Sequence, residues 1–507
     1  MLAKAISGAL KGVDAYLVSV EVDLAPGLPA FSVVGLPEAA VKESRDRVRA
    51  ALKNSGYQFP TNRITINLAP ADVRKEGTGF DLPVAVALLA AQGLIPPERL
   101  ERFLLFGELS LDGSLKPTRG VLSMALATRA AGLSLILPRD NAPEAAVVQG
   151  LEAYPLATLA QTVEFLAGRE EVSPVPPSTP SLLAGDPGEE LDFREVRGQE
   201  PVKRALLLAA AGGHNVLMVG PPGAGKTMLA QRLPSILPPL SFEEALETSK
   251  IYSIMGLLPP GRPLLTRRPF RAPHHTISDA GLIGGGTTPR PGEVSLAHHG
   301  VLFLDELPEF KRATLEVLRQ PLEDGCVTIS RAATTLTYPA RFMLVAAMNP
   351  CPCGFYGDPR RPCTCTPSQI NTYRARISGP LLDRLDLQVQ VPAVPFRELD
   401  APSEGGGSRE LRERVLAARE RQARRFARTR IFCNAYMTPR LLKEHCTLGD
   451  DSRRLLERAM ERLALSARAY TRILKIARTI ADVEGETAIA PAHIAEAIQY
   501  RSLDRRF

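Results

Sequence analysis

The chain has 507 residues, more than one hydrophobic core sustains, so two or three domains are predicted. A composition of 45% hydrophobic and 23% charged residues, with no uncharged apolar run of about 18 residues, excludes a membrane span, and Lys4, Lys11 and Asp14 interrupt the apolar stretch a secretory signal needs. The net charge of +7 is uneven: residues 409–507 carry 22 Lys/Arg against 13 Asp/Glu, which permits contact with a polyanion such as nucleic acid and equally fits a solvated arginine-rich helical surface. Residues 1–170 alternate strand-like runs, AYLVSVEVDL and RITINLAP, with helix-like runs, EAAVKESRDRVRAALKNSG and LPVAVALLAAQG, and predict an α/β or α+β domain. Residues 171–190, EVSPVPPSTPSLLAGDPGEE, read as a linker. Residues 191–399 alternate again, with short apolar strands at NVLMVG, GVLFLDE and RFMLVAAMNP. After the break DAPSEGGGS (400–408), residues 409–507 show helical periodicity throughout, as in ELRERVLAARERQARRFA.

Between the strand NVLMV and a helix-compatible run lies Gly220-Pro221-Pro222-Gly223-Ala224-Gly225-Lys226-Thr227, the pattern G-x-x-x-x-G-K-[ST] in the context that gives it meaning. Glycines let backbone N–H groups curl around phosphate, and a following helix N-terminus favours an anion. Lys226 would reach the β- and γ-phosphates of ATP, and Thr227 would hold Mg2+. The strand GVLFLDE ends in Asp305 and Glu306, one carboxylate for Mg2+ and one to polarise the attacking water. A third strand ends at Asn349, a water-positioning amide.

Four thiols crowd into fifteen positions, Cys351, Cys353, Cys363 and Cys365, interleaved with Gly and Pro. Tetrahedral zinc wants four soft ligands on a tight loop pair, although C-x-C is a less usual spacing than C-x-x-C; free thiols and a redox role are the alternatives. The cysteines do not form an extracellular disulfide framework and point to a reducing cytoplasm. His274, His275, His298 and His299 form two adjacent pairs without a supporting carboxylate pattern, and read as structural or interface residues rather than a metal site.

Phosphate loop, Asp-Glu strand, polar strand end and helical C-terminal segment together resemble an AAA+ ATPase. RPFRAPHHTISDAGLIGGG (268–286), NPCPCGFYGDP (349–359) and ISGPLLDRLDL, with FSVVGLPEAAVKESRDRVRAALKNSG and NLAPADVRKEGTGFDLPVA nearer the start, closely resemble the magnesium-chelatase-like YifB/ComM family, over essentially the whole chain. The resemblance implies an α/β multidomain fold: a Lon-protease-like α+β domain (1–170), a linker (171–190), an AAA+ P-loop α/β core (191–399) and a C-terminal helical lid (409–507). It implies a homo-oligomeric, hexameric ring in which Arg384, with Arg376 as second candidate, reaches the neighbour's nucleotide, and Arg468 serves as second sensor. DFREVRGQE (192–200) looks like the entry segment beside the adenine.

The family carries a pre-sensor hairpin at residues 325–340. Arg331 at its tip, repeated around a ring, would make a positive collar for the backbone of single-stranded or branched DNA, without base reading. The implied activity is an ATP-driven helicase or branch-migration motor in DNA uptake, competence and recombination; the rival is a chelatase-like chaperone that remodels a protein partner. KEGTGFDLPVAVALLAA (75–91) with FGELSLDGSLKPTRGVLSMALATRAAG (106–132) resembles the proteolytic domain of Lon. Gly79 stands where the serine belongs and Leu122 near the expected lysine, so this domain is expected to lack peptidase activity.

Overall fold

The strand-like runs of the first segment pair into one mixed sheet in the computed structural model, which describes every residue except 39, 40, 42, 74, 76, 178–190, 260, 287, 288, 332, 333, 396–405, 430, 464 and 502–507. Strands β1 (Leu2–Lys11) and β2 (Asp14–Ala25) form a hairpin whose turn uses Gly12 at φ 65°. With β3 (Ala30–Val34), β4 (Arg63–Ala69), β5 (Phe103–Leu105), β6 (Ser134–Pro138) and β7 (Ala153–Leu156), the order is β3-β4-β2-β1-β5-β6-β7. The helices α1 (Ser44–Asn54), α2 (Asp81–Ala91) and α3 (Val121–Ala130) pack on it. Every residue of α2 is buried, which is why its sequence is apolar on all sides after Asp81, whose carboxylate pairs with Arg47 at 2.7 Å.

The chain divides into two compact units, Met1–Gly185 with Ser241–Thr266, and Asp186–Leu240 with Arg267–Phe507. The sequence predicts an ATPase segment unbroken from 191 to 399, whereas Ser241–Thr266 folds with the first unit. Its helix Phe242–Met255 starts in a capping box at Ser241 and Glu244, and sets Phe242 and Leu246 against the cluster containing Val121, Leu122 and Leu137. Lys250 Nζ donates to Asp14 at 2.5 Å and Ser253 Oγ to Glu144 at 2.6 Å. Part of the expected linker is also occupied: Val175 donates its N–H to Ala153 O at 2.8 Å. In this unit Gly79 has no room for a serine, since a Cβ there would lie 2.3 Å from the Phe106 ring; Leu122 is fully buried.

The second unit holds a five-stranded, all-parallel sheet. Helix α4 (Glu200–Gly212) precedes β8 (Val216–Val219), α5 (Lys226–Arg232) follows it, and β9 (Phe270–Arg271), β10 (Val301–Leu304), β13 (Met343–Met348) and β14 (Leu387–Gln390) complete the order β9-β10-β13-β8-β14. Strands β11 (Cys326–Arg331) and β12 (Thr334–Pro339) form a separate antiparallel hairpin. Strands β8, β10, β13 and β14 are almost wholly buried, as continuous apolar runs in a parallel sheet require, while the edge strand β9 is half-buried. The helices α6 (Ser408–Arg425) and α7 (Ala467–Glu484) share the core of this sheet: Val415, Ile473, Ile476 and Ile480 join one cluster with Leu206, Val216 and Val345. Polar ties add to it, Gln422 Nε2 to Ala211 O at 3.0 Å and His214 Nε2 to Thr479 Oγ1 at 2.8 Å. No helix among the described residues is long and apolar enough to cross a membrane.

Candidate functional site

The strand order explains how residues distant in sequence meet. β13 lies between the phosphate-loop strand β8 and the carboxylate strand β10, so the carboxyl ends of all three converge. Lys226 Nζ donates to Gly220 O at 2.7 Å, Pro221 O at 2.9 Å and Asn349 Oδ1 at 3.1 Å. Thr227 Oγ1 donates to Asp305 Oδ2 at 2.6 Å, and Asp305 Oδ1 accepts the Glu306 N–H at 2.9 Å. Desolvation lowers the Lys226 ammonium from its ordinary pKa, against the pull of Asp305 and Glu306, which favour its charge.

Two glycines shape the loop. Gly220 is required by packing, since a Cβ would fall 2.1 Å from Val391 O; Gly223, at φ 76°, faces open space within 4 Å and leaves the loop surface accessible. These residues fit a nucleotide triphosphate with Mg2+. A hydroxyl and a carboxylate oxygen 2.6 Å apart can supply two cis ligands to an octahedral ion whose remaining positions are phosphate and water.

Sequence reasoning missed three neighbours. Gln199, in the entry segment, donates through Nε2 to Ala224 O at 2.8 Å and Pro392 O at 3.1 Å, tying that segment to the phosphate loop. His275 places Nδ1 3.4 Å from Glu306 Oε2, so one histidine of the first pair touches the candidate catalytic carboxylate. Glu306 itself has a left-handed backbone, φ 52°, a costly conformation for a side chain of its kind. In the other pair, His298 Nδ1 accepts the Arg341 N–H at 3.0 Å. The third neighbour, Glu323, concerns the arginines.

Arg384 and Arg468 line one cleft with Glu323, Asp383 and Arg472. None of the phosphate-loop residues lines it. The Arg384 side chain is only 7% exposed, ion-paired to Glu323 and donating through Nη1 to Pro380 O at 2.6 Å. Arg468 is well exposed and lies 3.6 Å from Asp383. Arg376 is half-exposed on Glu309 at 3.0 Å. Arg331 closes the hairpin as the last paired residue, opposite Thr334; its side chain lies outside the described residues.

The four cysteines converge. Cys351 Sγ lies 3.3 Å from Cys353 Sγ and 3.7 Å from Cys363 Sγ, Cys353 and Cys363 are 3.6 Å apart, and all four sulfurs fall within 4.8 Å of one another.

Known proteins agree along the length of the chain. The family model for the magnesium chelatase subunit ChlI matches residues 192–399, a second ChlI model matches 20–141, and the ChlI C-terminal model matches 405–501. YifB of Salmonella typhimurium is 47% identical over 499 residues, 97% of this chain and 96% of that protein. Competence protein ComM of Haemophilus influenzae is 46% identical over 511 residues, 99% of this chain and 98% of that protein. The magnesium-chelatase 38 kDa subunit of Rhodobacter capsulatus is 25% identical over 328 residues, 60% of this chain and 84% of that protein. With near-identical extent and close to half of all positions shared, the chain belongs to the YifB/ComM family of magnesium-chelatase-like AAA+ proteins.

Proposed function

We propose that this protein is a ring-forming ATPase that couples ATP hydrolysis to movement on DNA, as a branch-migration or helicase motor in recombination or natural transformation. The observation that carries the ATPase half is the meeting of Lys226 with Asn349 and of Thr227 with Asp305 at adjacent strand ends. Bound ATP with Mg2+ supplies the scissile phosphoanhydride. The loop Gly220–Thr227 and Lys226 hold the phosphates, Thr227 and Asp305 hold the Mg2+, Glu306 orients and deprotonates the attacking water, and Asn349 fixes its position. Arg384 acts as the finger on a neighbouring subunit's nucleotide in a hexamer, with Arg468 as second sensor on the helical lid. The four thiolates hold one zinc ion. The first unit is a Lon-like domain without peptidase chemistry, used for assembly.

The DNA half is supported by the hairpin, whose register puts Arg331 beside its turn, and by the relative named as a competence protein. The match to three chelatase models favours a second reading, a chaperone that remodels a protein partner. ATP turnover with single-stranded, duplex and four-way-junction DNA separates the two. Stimulation by DNA is expected, abolished in Lys226→Ala with loss of ATP binding and in Glu306→Gln with binding kept. Turnover indifferent to all three DNAs refutes the motor, and a Glu306→Gln protein at the parental rate refutes that carboxylate's role.

A further inference from the structure

The cysteine loop and the phosphate loop touch. β13 ends by delivering Asn349 to Lys226 at 3.1 Å, and Pro350 and Cys351 follow directly. Three residues later the chain turns back: the Gly354 N–H donates to Cys351 O at 3.0 Å at φ 86°, and a Cβ at Gly354 would lie 2.6 Å from Pro222 Cδ. Gly354 is therefore seated on the second proline of the phosphate loop with no space between them.

Burial does little to hold this loop. From Cys351 to Cys365 there is neither helix nor strand, and only Cys351 and Gly354 are buried. Ordering fifteen such residues costs backbone entropy that so little burial does not offset. A metal ion would offset it, because binding free energy at a site formed by the fold is folding free energy.

The geometry suits one ion. A tetrahedron with Zn–S bonds of about 2.3 Å spaces its sulfurs about 3.8 Å apart; the separations among Cys351, Cys353 and Cys363 are 3.3, 3.7 and 3.6 Å, and Cys365 Sγ lies within 4.8 Å of each. Backbone N–H groups of Cys353, Tyr356 and Cys365 donate to cluster sulfurs at 3.3, 3.3 and 3.4 Å, the kind of outer-shell support that thiolate ligands receive. Further out, Arg374 packs over the Tyr356 ring at 5.2 Å and donates to Pro350 O through Nε at 3.2 Å.

We propose that a four-thiolate zinc centre at Cys351, Cys353, Cys363 and Cys365 braces the nucleotide site, holding Gly354 against Pro222 and Asn349 at Lys226, so that metal loading and ATP affinity are coupled. This rests on the ATP reading of the phosphate loop. Release of the ion frees the loop, and with it the wall behind Pro222 and the anchor of the Asn349 strand end.

The test uses full-length protein purified without added metal. Elemental analysis should find about one zinc per chain, and Cys351→Ser with Cys353→Ser should lack it. Stripping the wild type with a mercurial and a chelator should weaken binding of a fluorescent ATP analogue about tenfold, the scale at which outer-shell support acts, with recovery on returning zinc. Gly354→Ala keeps all four ligands and should lose ATP affinity while retaining zinc. Absence of metal, or iron in its place, overturns the zinc centre. Parental ATP affinity in both the stripped protein and Gly354→Ala overturns the brace. Lys226→Ala is the reference: if it binds the analogue as tightly as the parent, the ATP reading itself has failed, whereas its loss of nucleotide beside a zinc-free protein that binds normally condemns only the coupling.

Discussion

Arg384 sits in an unusual position for a residue proposed to reach a neighbouring subunit. Its guanidinium is nearly buried, held by Glu323 and the Pro380 carbonyl, and its Nε has no partner among the described residues. A buried donor without an acceptor is costly, and a phosphate oxygen presented by a neighbour would satisfy it. To act in trans, Arg384 has to leave Glu323, so this pair restrains the finger in the isolated subunit. Glu323 is more than half exposed, and an ion pair open to solvent on one side is worth about 0.2–1 kcal/mol. Glu323→Gln should accordingly raise basal ATP turnover about two- to fivefold at unchanged ATP affinity. Arg384→Ala should lower turnover about a thousandfold and leave binding intact, since a finger acts on transition-state charge. Steady-state hydrolysis beside equilibrium nucleotide binding checks both. An Arg384→Ala protein at the parental rate removes the finger assignment, and a Glu323→Gln protein slower than the parent makes Glu323 a support rather than a restraint.

At the scale of elements, the hairpin has one buried face and one exposed face lined with hydroxyls. Val327, Ile329 and Tyr338 are buried on one face, and Tyr338 Oη donates to Pro289 O at 2.7 Å. On the other face, hydroxyls pair across the strands, Thr328 with Thr337 at 3.2 Å and Ser330 with Thr335 at 3.3 Å. Such a ladder transmits position without offering base-reading groups. Arg331→Ala should therefore weaken DNA binding uniformly across sequences and reduce the salt slope by about one released counterion. Labelled DNA titrated at several salt concentrations measures this, with light scattering to confirm assembly; an intact assembly with unchanged affinity and slope rules out a DNA role for the hairpin. The elements that sequence made legible are those whose signal is local. Phosphate loop and acidic strand end each follow one apolar run, so strand, loop and ligand are read together. Gln199 was illegible because its partners lie 25 and 193 positions away, and Glu323 because its partner lies 61 positions on. The helix Phe242–Met255 reads as part of the ATPase segment by position, and only its packing places it in the first unit. Likewise, nothing in the periodicity of α7 says that its apolar face completes the core beside β8.

For the whole molecule, the distribution of site residues has a consequence. The second unit presents two separate assemblies: the phosphate loop with Asp305, Glu306 and Asn349 at the strand ends, and a cleft containing Arg384 and Arg468 that no phosphate-loop residue lines. If the arginines have the proposed roles, a chain whose own arginines stand apart from its own phosphate loop would complete its site with a second copy. A head-to-tail contact does this repeatedly and closes into a ring, the arrangement proposed above. Mixing subunits tests the division. A Glu306→Gln subunit keeps its arginines, and an Arg384→Ala subunit keeps its carboxylate. Where the cleft of the first meets the phosphate loop of the second, one complete site forms. Random assembly from equal amounts makes about a quarter of the interfaces complete, so activity should return to a fraction of the parental rate although each variant alone is nearly inactive. Nucleotide binding should be unaffected throughout. If Arg384 served its own chain's nucleotide, no combination would restore a site, and mixtures as inactive as their components would dismiss the shared-site architecture.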